Sequence, residues 1–182
     1  MKSDIAALRQ LYFGRAAGQT LLKAKGNKME NITVREIEAS DEGLINGFFD
    51  AMSGEVRSLF NRNDHNRQGV LKQLKRPLSS RKYWIALDGD KMLGYVFLLD
   101  TDTGVPTMGI ALAEDCRGRG LGKRLTAFVL DEARKMGKGG VQVTTHIANI
   151  RAQALYEAMG FRLMGVSARN VQELYYLIAF RE

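Results

Sequence analysis

The chain has 182 residues, a formal net charge of +7, and 45% hydrophobic against 26% charged residues, enough apolar material to bury one sizeable core. No apolar run approaches the roughly 18 residues that a membrane-spanning helix needs, and no secretory signal with a cleavage site is present. The single cysteine leaves no internal disulfide and fits a reducing cytoplasm. No Cys/His/carboxylate cluster has metal-ligand spacing, so no metal is expected.

Charge is unevenly spread. Six basic and two acidic side chains fall within residues 1–30, which read as a basic extension ahead of a domain spanning 31–182. Ile5, Leu8, Leu11 and Tyr12 share one face of a short helix, capped by Ser3 and ended near Gly14 or Gly18. Lys23 to Lys28 is a polar linker. The extension is neither serine-rich nor strongly arginine-rich, unlike a transit peptide. A nucleic-acid partner is not expected, because no recognised nucleic-acid motif accompanies the charge.

The β-like run Ile32 to Ile37 opens the domain. Asp41 then caps a helix carrying Leu44, Ile45, Phe48, Phe49 and Met52, and further helical stretches fall at 56–62 and 68–75 before Pro77 stops them. Strands at 83–87 and 92–99 form a hairpin around Asp88-Gly89-Asp90, and a third runs from Thr107 to Ala113. Leu121, Leu125, Phe128, Val129, Ala133 and Met136 recur at helical spacing, with Gly137 as the stop. A strand at 140–145, a helix opened by Asn149, and strands at 161–168 and 173–180 complete the order.

Between the third of these strands and the long helix lies Arg117-Gly118-Arg119-Gly120-Leu121-Gly122. Three residues without Cβ let the backbone turn tightly and aim successive N–H groups at one point, and the helix adds its positive end. The stretch reads as an anion cradle of the size of a diphosphate. A dinucleotide-binding Gly-x-Gly-x-x-Gly fails, because counting from Gly118 puts Lys123 in the third glycine position. A P-loop fails too, needing a glycine at Arg117 and a hydroxyl at Arg124. Arg117, Arg119 and Lys123 crowd the cradle, while Arg124 reads as part of a solvated basic face.

What the stretch does match is Arg-x-x-Gly-x-Gly, which resembles the acyl-CoA diphosphate loop of the GNAT superfamily of N-acyltransferases. A second segment, Asn149 through Phe161, is similar to that family's Asn-x-x-Ala-x-x-Leu-Tyr-x-x-x-Gly-Phe at every signature position. The resemblance covers about residues 31–182. It implies an α/β (α+β) fold with a mixed, mostly antiparallel sheet of about seven strands flanked by helices. It also implies acetyl-CoA as cosubstrate and transfer of acetyl to a primary amine, of a small molecule or a protein, by direct attack in a ternary complex. The pantetheine arm would lie along Ile110, Ala111 and Leu112, and the diphosphate would take N–H bonds from Arg117, Gly118, Arg119, Gly120, Leu121, Gly122 and Lys123. Tyr156 matches the tyrosine that protonates the departing thiolate, and Asn149 the asparagine near the thioester, a role compatible with capping its helix. A homodimer is compatible with the family.

The general base is not where relatives carry it. Many place a glutamate ten residues before the loop arginine or five before the asparagine, where this chain has Thr107 and Thr144. His146 is the protonatable group nearby, with an unperturbed pKa of about 6.5. Glu114 stands where relatives often have proline, and Cys116 where many have an aromatic residue. Cys116 is expected to be an inert, partly buried thiol. The resemblance implies that acceptor choice lies before the first hairpin, in the stretch Ser53 to Asn66, where Glu55 or Asp64 could attract a cationic amine. The rival class is a non-catalytic acyl-CoA sensor, against which intact Asn149 and Tyr156 argue.

Overall fold

The computed structural model describes residues 13–16, 19–22, 32–54 and 66–180. Among these, nine strands form one sheet in the order β1-β2-β3-β4-β5-β6-β7-β9-β8. They are β1 (Phe13–Ala16), β2 (Gln19–Leu22), β3 (Ile32–Glu36), β4 (Arg81–Asp88), β5 (Lys91–Leu99), β6 (Thr107–Leu112), β7 (Gly140–His146), β8 (Arg162–Ser167) and β9 (Asn170–Ala179). Every neighbouring pair is antiparallel except β6 and β7. Among the described residues, four α-helices flank the sheet: α1 (Glu42–Asp50), α2 (Arg67–Lys75), α3 (Leu121–Lys135) and α4 (Ile150–Ala158).

The mixed, mostly antiparallel sheet and its flanking helices follow the expected architecture. The strands expected from Ile32 onward are joined by β1 and β2. Phe13–Ala16, read from the sequence as lying near the end of a helix, is a strand paired with β2, which in turn pairs with β3. Edge pairing of the backbone satisfies more main-chain groups there than one isolated helical turn could. Ile5, Leu8, Leu11 and Tyr12, and the helical stretch expected at 56–62, lie outside the described residues.

Alternation along the strands builds two cores, one on each face. Trp84, Ala86, Val96, Leu98, Met108, Val141, Val143, Tyr176 and Ile178 pack with Leu125, Phe128 and Val129 of α3 and with Tyr156 of α4. Tyr83, Ile85, Tyr95, Phe97 and Ala111 point the other way, against Ile45, Phe48 and Phe49 of α1 and Val70 of α2. Aromatic rings tie each core to the sheet. Trp84 meets Phe128 edge-on at 5.5 Å on the α3 side, and Phe97 stacks on Tyr83 at 5.2 Å on the α1 side.

Asp41 stands at the N-cap position of α1 as expected, but its side chain makes no capping bond to the helix. It ends a 3-10 turn (Ala39–Asp41) and is only 2% exposed. Its carboxylate takes two bonds from the Arg35 guanidinium, at 2.7 and 2.8 Å, and one from the Glu38 N–H at 2.8 Å. Burial alone would raise the Asp41 pKa, but Arg35 and the Glu38 amide outweigh it and hold the carboxyl below its ordinary value. A depressed carboxylate stabilises the fold above its unfolded pKa, and that contribution is lost as pH falls through the folded value. Asp41→Asn is therefore expected to lower unfolding free energy by about 3 kcal/mol at neutral pH. Urea titrations across the acid range should show a flatter loss of stability below about pH 4 than in the parent.

Candidate active site

The parallel pairing of β6 and β7 stops almost as soon as it starts. Its single register bridge joins Thr107 to Gln142. The Gln142 N–H donates to the Pro106 carbonyl at 3.0 Å, and its side-chain amide donates to Thr107 Oγ1 at 2.9 Å. Beyond this clamp the strands diverge and leave a gap inside the sheet.

Register tells which groups face the gap. The Ala113 N–H donates to the Leu93 carbonyl, and β6 pairs with β5 without a shift from Leu112↔Gly94 to Thr107↔Leu99. In an antiparallel pair, alternate residues turn both backbone groups to the same neighbour. Ala111 therefore bonds to β5, whereas Ile110 and Leu112 turn N–H and C=O toward β7, past the last bridge. Of the three residues expected to hold an extended ligand, these two offer backbone, and Ala111 contributes a buried side chain on the α1 face.

At the C-terminal end of β6, a 3-10 turn (Glu114–Cys116) leads into the glycine loop. Gly118 and Gly120 have φ of 72° and 80°, the left-handed region that disfavours Cβ. Gly120 precedes α3 and supplies no side-chain cap, so the first-turn N–H groups of Leu121, Gly122 and Lys123 are left for another acceptor. The first bond of the ladder runs from the Arg124 N–H to the Gly120 carbonyl at 3.2 Å. Leu121 is fully buried and pins the helix start to the core, while Gly118, Arg119, Gly120 and Lys123 are exposed and Arg117 is partly so. Arg124, read from the sequence as solvated, is instead 4% exposed. It lies one residue before Leu125 on a stretch buried continuously to Leu130, so the apolar periodicity understated how much of α3 is covered.

Gly122 brings three separately predicted pieces together. A Cβ there would sit 3.3 Å from Leu155 Cδ2 and 3.4 Å from Leu112 Cδ1. The end of β6, the start of α3 and the middle of α4 thus meet at one point, and Tyr156 is the next residue after Leu155. Tyr156 is buried, its ring 5.7 Å from that of Phe161 and 5.9 Å from that of Tyr176. Its hydroxyl makes no hydrogen bond among the described residues. Burial pushes its pKa well above the ordinary phenol value, so the group stays protonated across the neutral pH range. Asn149 caps α4, its side-chain oxygen accepting from the Ala152 N–H at 3.2 Å, which commits the oxygen and leaves the amide NH₂.

On the opposite face, Gln142, Thr144 and His146 alternate with inward-facing Val141 and Val143. His146 Nδ1 accepts from the Ala148 N–H at 3.1 Å. In the neutral ring this places the proton on Nε2, so that nitrogen donates and cannot take a proton from an amine. His146, the protonatable group that the sequence offers near the site, therefore presents no free basic nitrogen to an amine in this geometry. Thr107 is engaged with Gln142, and Thr144 is exposed. Glu173, not singled out by the sequence, stands directly opposite His146 in the β7–β9 register. The strand pattern contained it, but pairing between strands far apart in sequence was needed to place it.

Two anchors position the loop. Lys91 pairs with Asp115, and Glu114 accepts from the Ser53 N–H at 2.9 Å, linking the end of α1 to the cradle. Cys116 is buried, and burial together with the neighbouring Asp115 carboxylate pushes its thiol up to about 11. The thiolate that alkylating reagents attack is scarce at neutral pH, so iodoacetamide at pH 7.5 should label Cys116 at least about tenfold more slowly than a free thiol; labelling at the free-thiol rate would contradict this. Gly122→Val should close the contact between Leu112 and Leu155. It is expected to weaken coenzyme A binding by roughly tenfold in calorimetry, with the far-ultraviolet circular dichroism unchanged.

The profile of the acetyltransferase (GNAT) family matches residues 46–161. An uncharacterized N-acetyltransferase, YvbK, of Bacillus subtilis is 30% identical over 84 residues, covering 46% of this chain and 54% of that protein. The chain thus spans about half the length of that relative. N-alpha-acetyltransferase 30 of Schizosaccharomyces pombe is 28% identical over 110 residues, covering 52% of this chain and 73% of its own. Among solved structures, the GNAT domain of S. lividans PAT superposes with a TM-score of 0.77 at 14% identity, over 92% of this chain and 99% of that one. The spermidine N-acetyltransferase of Vibrio cholerae in complex with CoA and spermine gives a TM-score of 0.67 at 18% identity, over 84% and 96%. With the profile covering more than half of the sequence, the chain belongs to the GNAT family of acetyltransferases.

Proposed function

We propose that the chain transfers acetyl from acetyl-CoA to a primary amine by direct attack in a ternary complex. The observation that carries this reading is the continuity of the gap with the cradle. Unpaired backbone at Ile110 and Leu112 suits an amide-bearing arm laid alongside as an extra strand. The uncapped start of α3, next to Leu112, suits the diphosphate at the end of that arm. Arg117, Arg119 and Lys123 add positive charge where the loop is exposed. Acetyl-CoA is a substrate here, and no resident cofactor or metal is invoked.

The two faces of the sheet then divide the chemistry. The amine attacks the thioester carbonyl from the α1 side, forming a tetrahedral oxyanion; the carbon–sulfur bond then breaks and the thiolate departs toward α4. Tyr156 supplies the hydrogen bond, and finally the proton, to the sulfur. A phenol raised by burial is a weak acid in water, but the same dry surroundings also raise the basicity of the thiolate, so the transfer is not uphill by the full difference. The amine's proton leaves on the other face, through water to Glu173 or to solvent, since His146, Thr107 and Thr144 offer no base. The acceptor is a small-molecule or protein amine.

Thiol release from acetyl-CoA, measured against a panel of polyamines, amino acids, arylamines and peptides, tests the reading. Amine-dependent turnover that falls by about tenfold or more in Tyr156→Phe, with coenzyme A affinity retained, is expected. Release that is independent of every amine, or unaffected by Tyr156→Phe, would contradict it. His146→Ala is expected to leave the pH–rate profile of the parent in place.

A further inference from the structure

Among the described residues, the gap between β6 and β7 is a slot with one blind end. It opens at the uncapped start of α3 and closes at Thr107 and Gln142, where a backbone bridge and a side-chain bond of 2.9 Å join the same two residues. Both side chains belong to the α1 face. Thr107 alternates with Met108, and Gln142 with Val141 and Val143, all three of which pack in the core on the α3 side.

The walls next to the blind end are fixed. Met108 and Val143 are buried on the α3 side. On the α1 side a phenyl ring fills the place of a missing side chain: a Cβ on Gly109 would fall 2.0 Å from Phe97 Cζ. The Phe97 ring itself meets those of Tyr83 at 5.2 Å and Tyr95 at 6.1 Å. Close packing keeps such groups from moving aside for an added chain. The clamp resists for another reason, since an alkyl tail that displaced it would break a bond between two partly buried polar groups and offer none in return.

Length decides what reaches this end. Strand β6 covers about 17 Å from Leu112 back to Thr107, at about 3.4 Å per residue. With a diphosphate at the start of α3, the pantetheine arm runs back along the slot for about a dozen bonds, roughly 15 Å from bonds of about 1.5 Å in zigzag. Its sulfur then arrives beside Gly109 or Ile110, and the acyl carbons point at the clamp. Contact distances of about 4 Å to the clamp atoms leave space for about two or three of them. Resting on the proposal that acyl-CoA occupies the gap, we infer that Gln142 and Thr107 set the upper limit of the acyl group. The chain takes short thioesters, acetyl and propionyl, and rejects hexanoyl and longer ones. The clamp selects the donor and takes no part in moving a proton.

Calorimetric titration of the full chain with coenzyme A, acetyl-CoA and hexanoyl-CoA tests this without any acceptor. Hexanoyl-CoA is expected to bind at least about tenfold more weakly than acetyl-CoA. Gln142→Ala opens the end of the slot while keeping the backbone bridge, and should narrow that ratio to about threefold or less. If Gln142→Ala does not fold, Thr107→Val carries the same expectation, because it keeps the side-chain volume and removes only the acceptor of the clamp bond. Equal binding of the two thioesters by the parent overturns the inference and leaves coenzyme binding in place. A ratio that stays at its parental value in the folded variant overturns it as well, since the limit then lies in other residues. If none of the three ligands binds, the acyl-CoA reading fails and this inference falls with it.

Discussion

A β-sheet persists because each interior strand has its backbone groups paired on both sides, and this sheet breaks that rule at its centre. Between β6 and β7 the pairing ends at Thr107 and Gln142, clamped by a side-chain bond between the same two residues. Buried main-chain donors and acceptors without partners cost about as much as lost hydrogen bonds, so such a gap persists only where something else supports the strands on either side. Here β6 is held by an unbroken antiparallel register with β5, and β7 by another with β9. The two halves of the sheet are each complete, and the opening lies between them.

The helices keep the halves at that separation. Helix α3 packs against β4 and β5 through Trp84 and Phe128 and against β7 through Val141 and Val143, spanning the opening on one side. Helix α1, oriented through the Asp41–Arg35 pair and the aromatic group of Phe48, Phe49, Tyr95 and Phe97, covers the other face. Because α3 starts where β6 ends, its uncapped N-terminus stands at the mouth of the gap. Gly122 is the residue that permits this, since any side chain there would press on Leu112 and Leu155. Tyr156 therefore sits on the face opposite Glu173, buried among aromatic rings, whereas Glu173 is partly exposed.

Much of the site is legible in local sequence pattern alone. Gly118 and Gly120 announce a left-handed turn, the spacing of Leu121, Leu125 and Phe128 announces α3, and Asn149 announces the cap it proves to be. Properties that depend on pairing across the chain do not show. The Gln142–Thr107 clamp joins residues 35 apart, the Ile110/Ala111/Leu112 alternation is meaningful only once the β5 register is known, and Glu173 acquires a place only opposite His146. His146 itself misleads because residue type is visible in a sequence and tautomer is not: a turn amide two residues on decides which nitrogen carries the proton. Arg124 misleads for a related reason, since a charged residue on a helix reads as solvated until the neighbouring layers are in place.

Residue-resolved amide hydrogen exchange with and without coenzyme A tests the central claim, that the gap receives the pantetheine arm as an extra strand. The N–H groups of Ile110 and Leu112 should slow by about tenfold or more when coenzyme A binds, while that of Ala111, already bonded to β5, should not change. Uniform slowing of all three, or no slowing at Ile110 and Leu112 in protein saturated with coenzyme A, would show that the ligand lies elsewhere and that the break between β6 and β7 has another purpose.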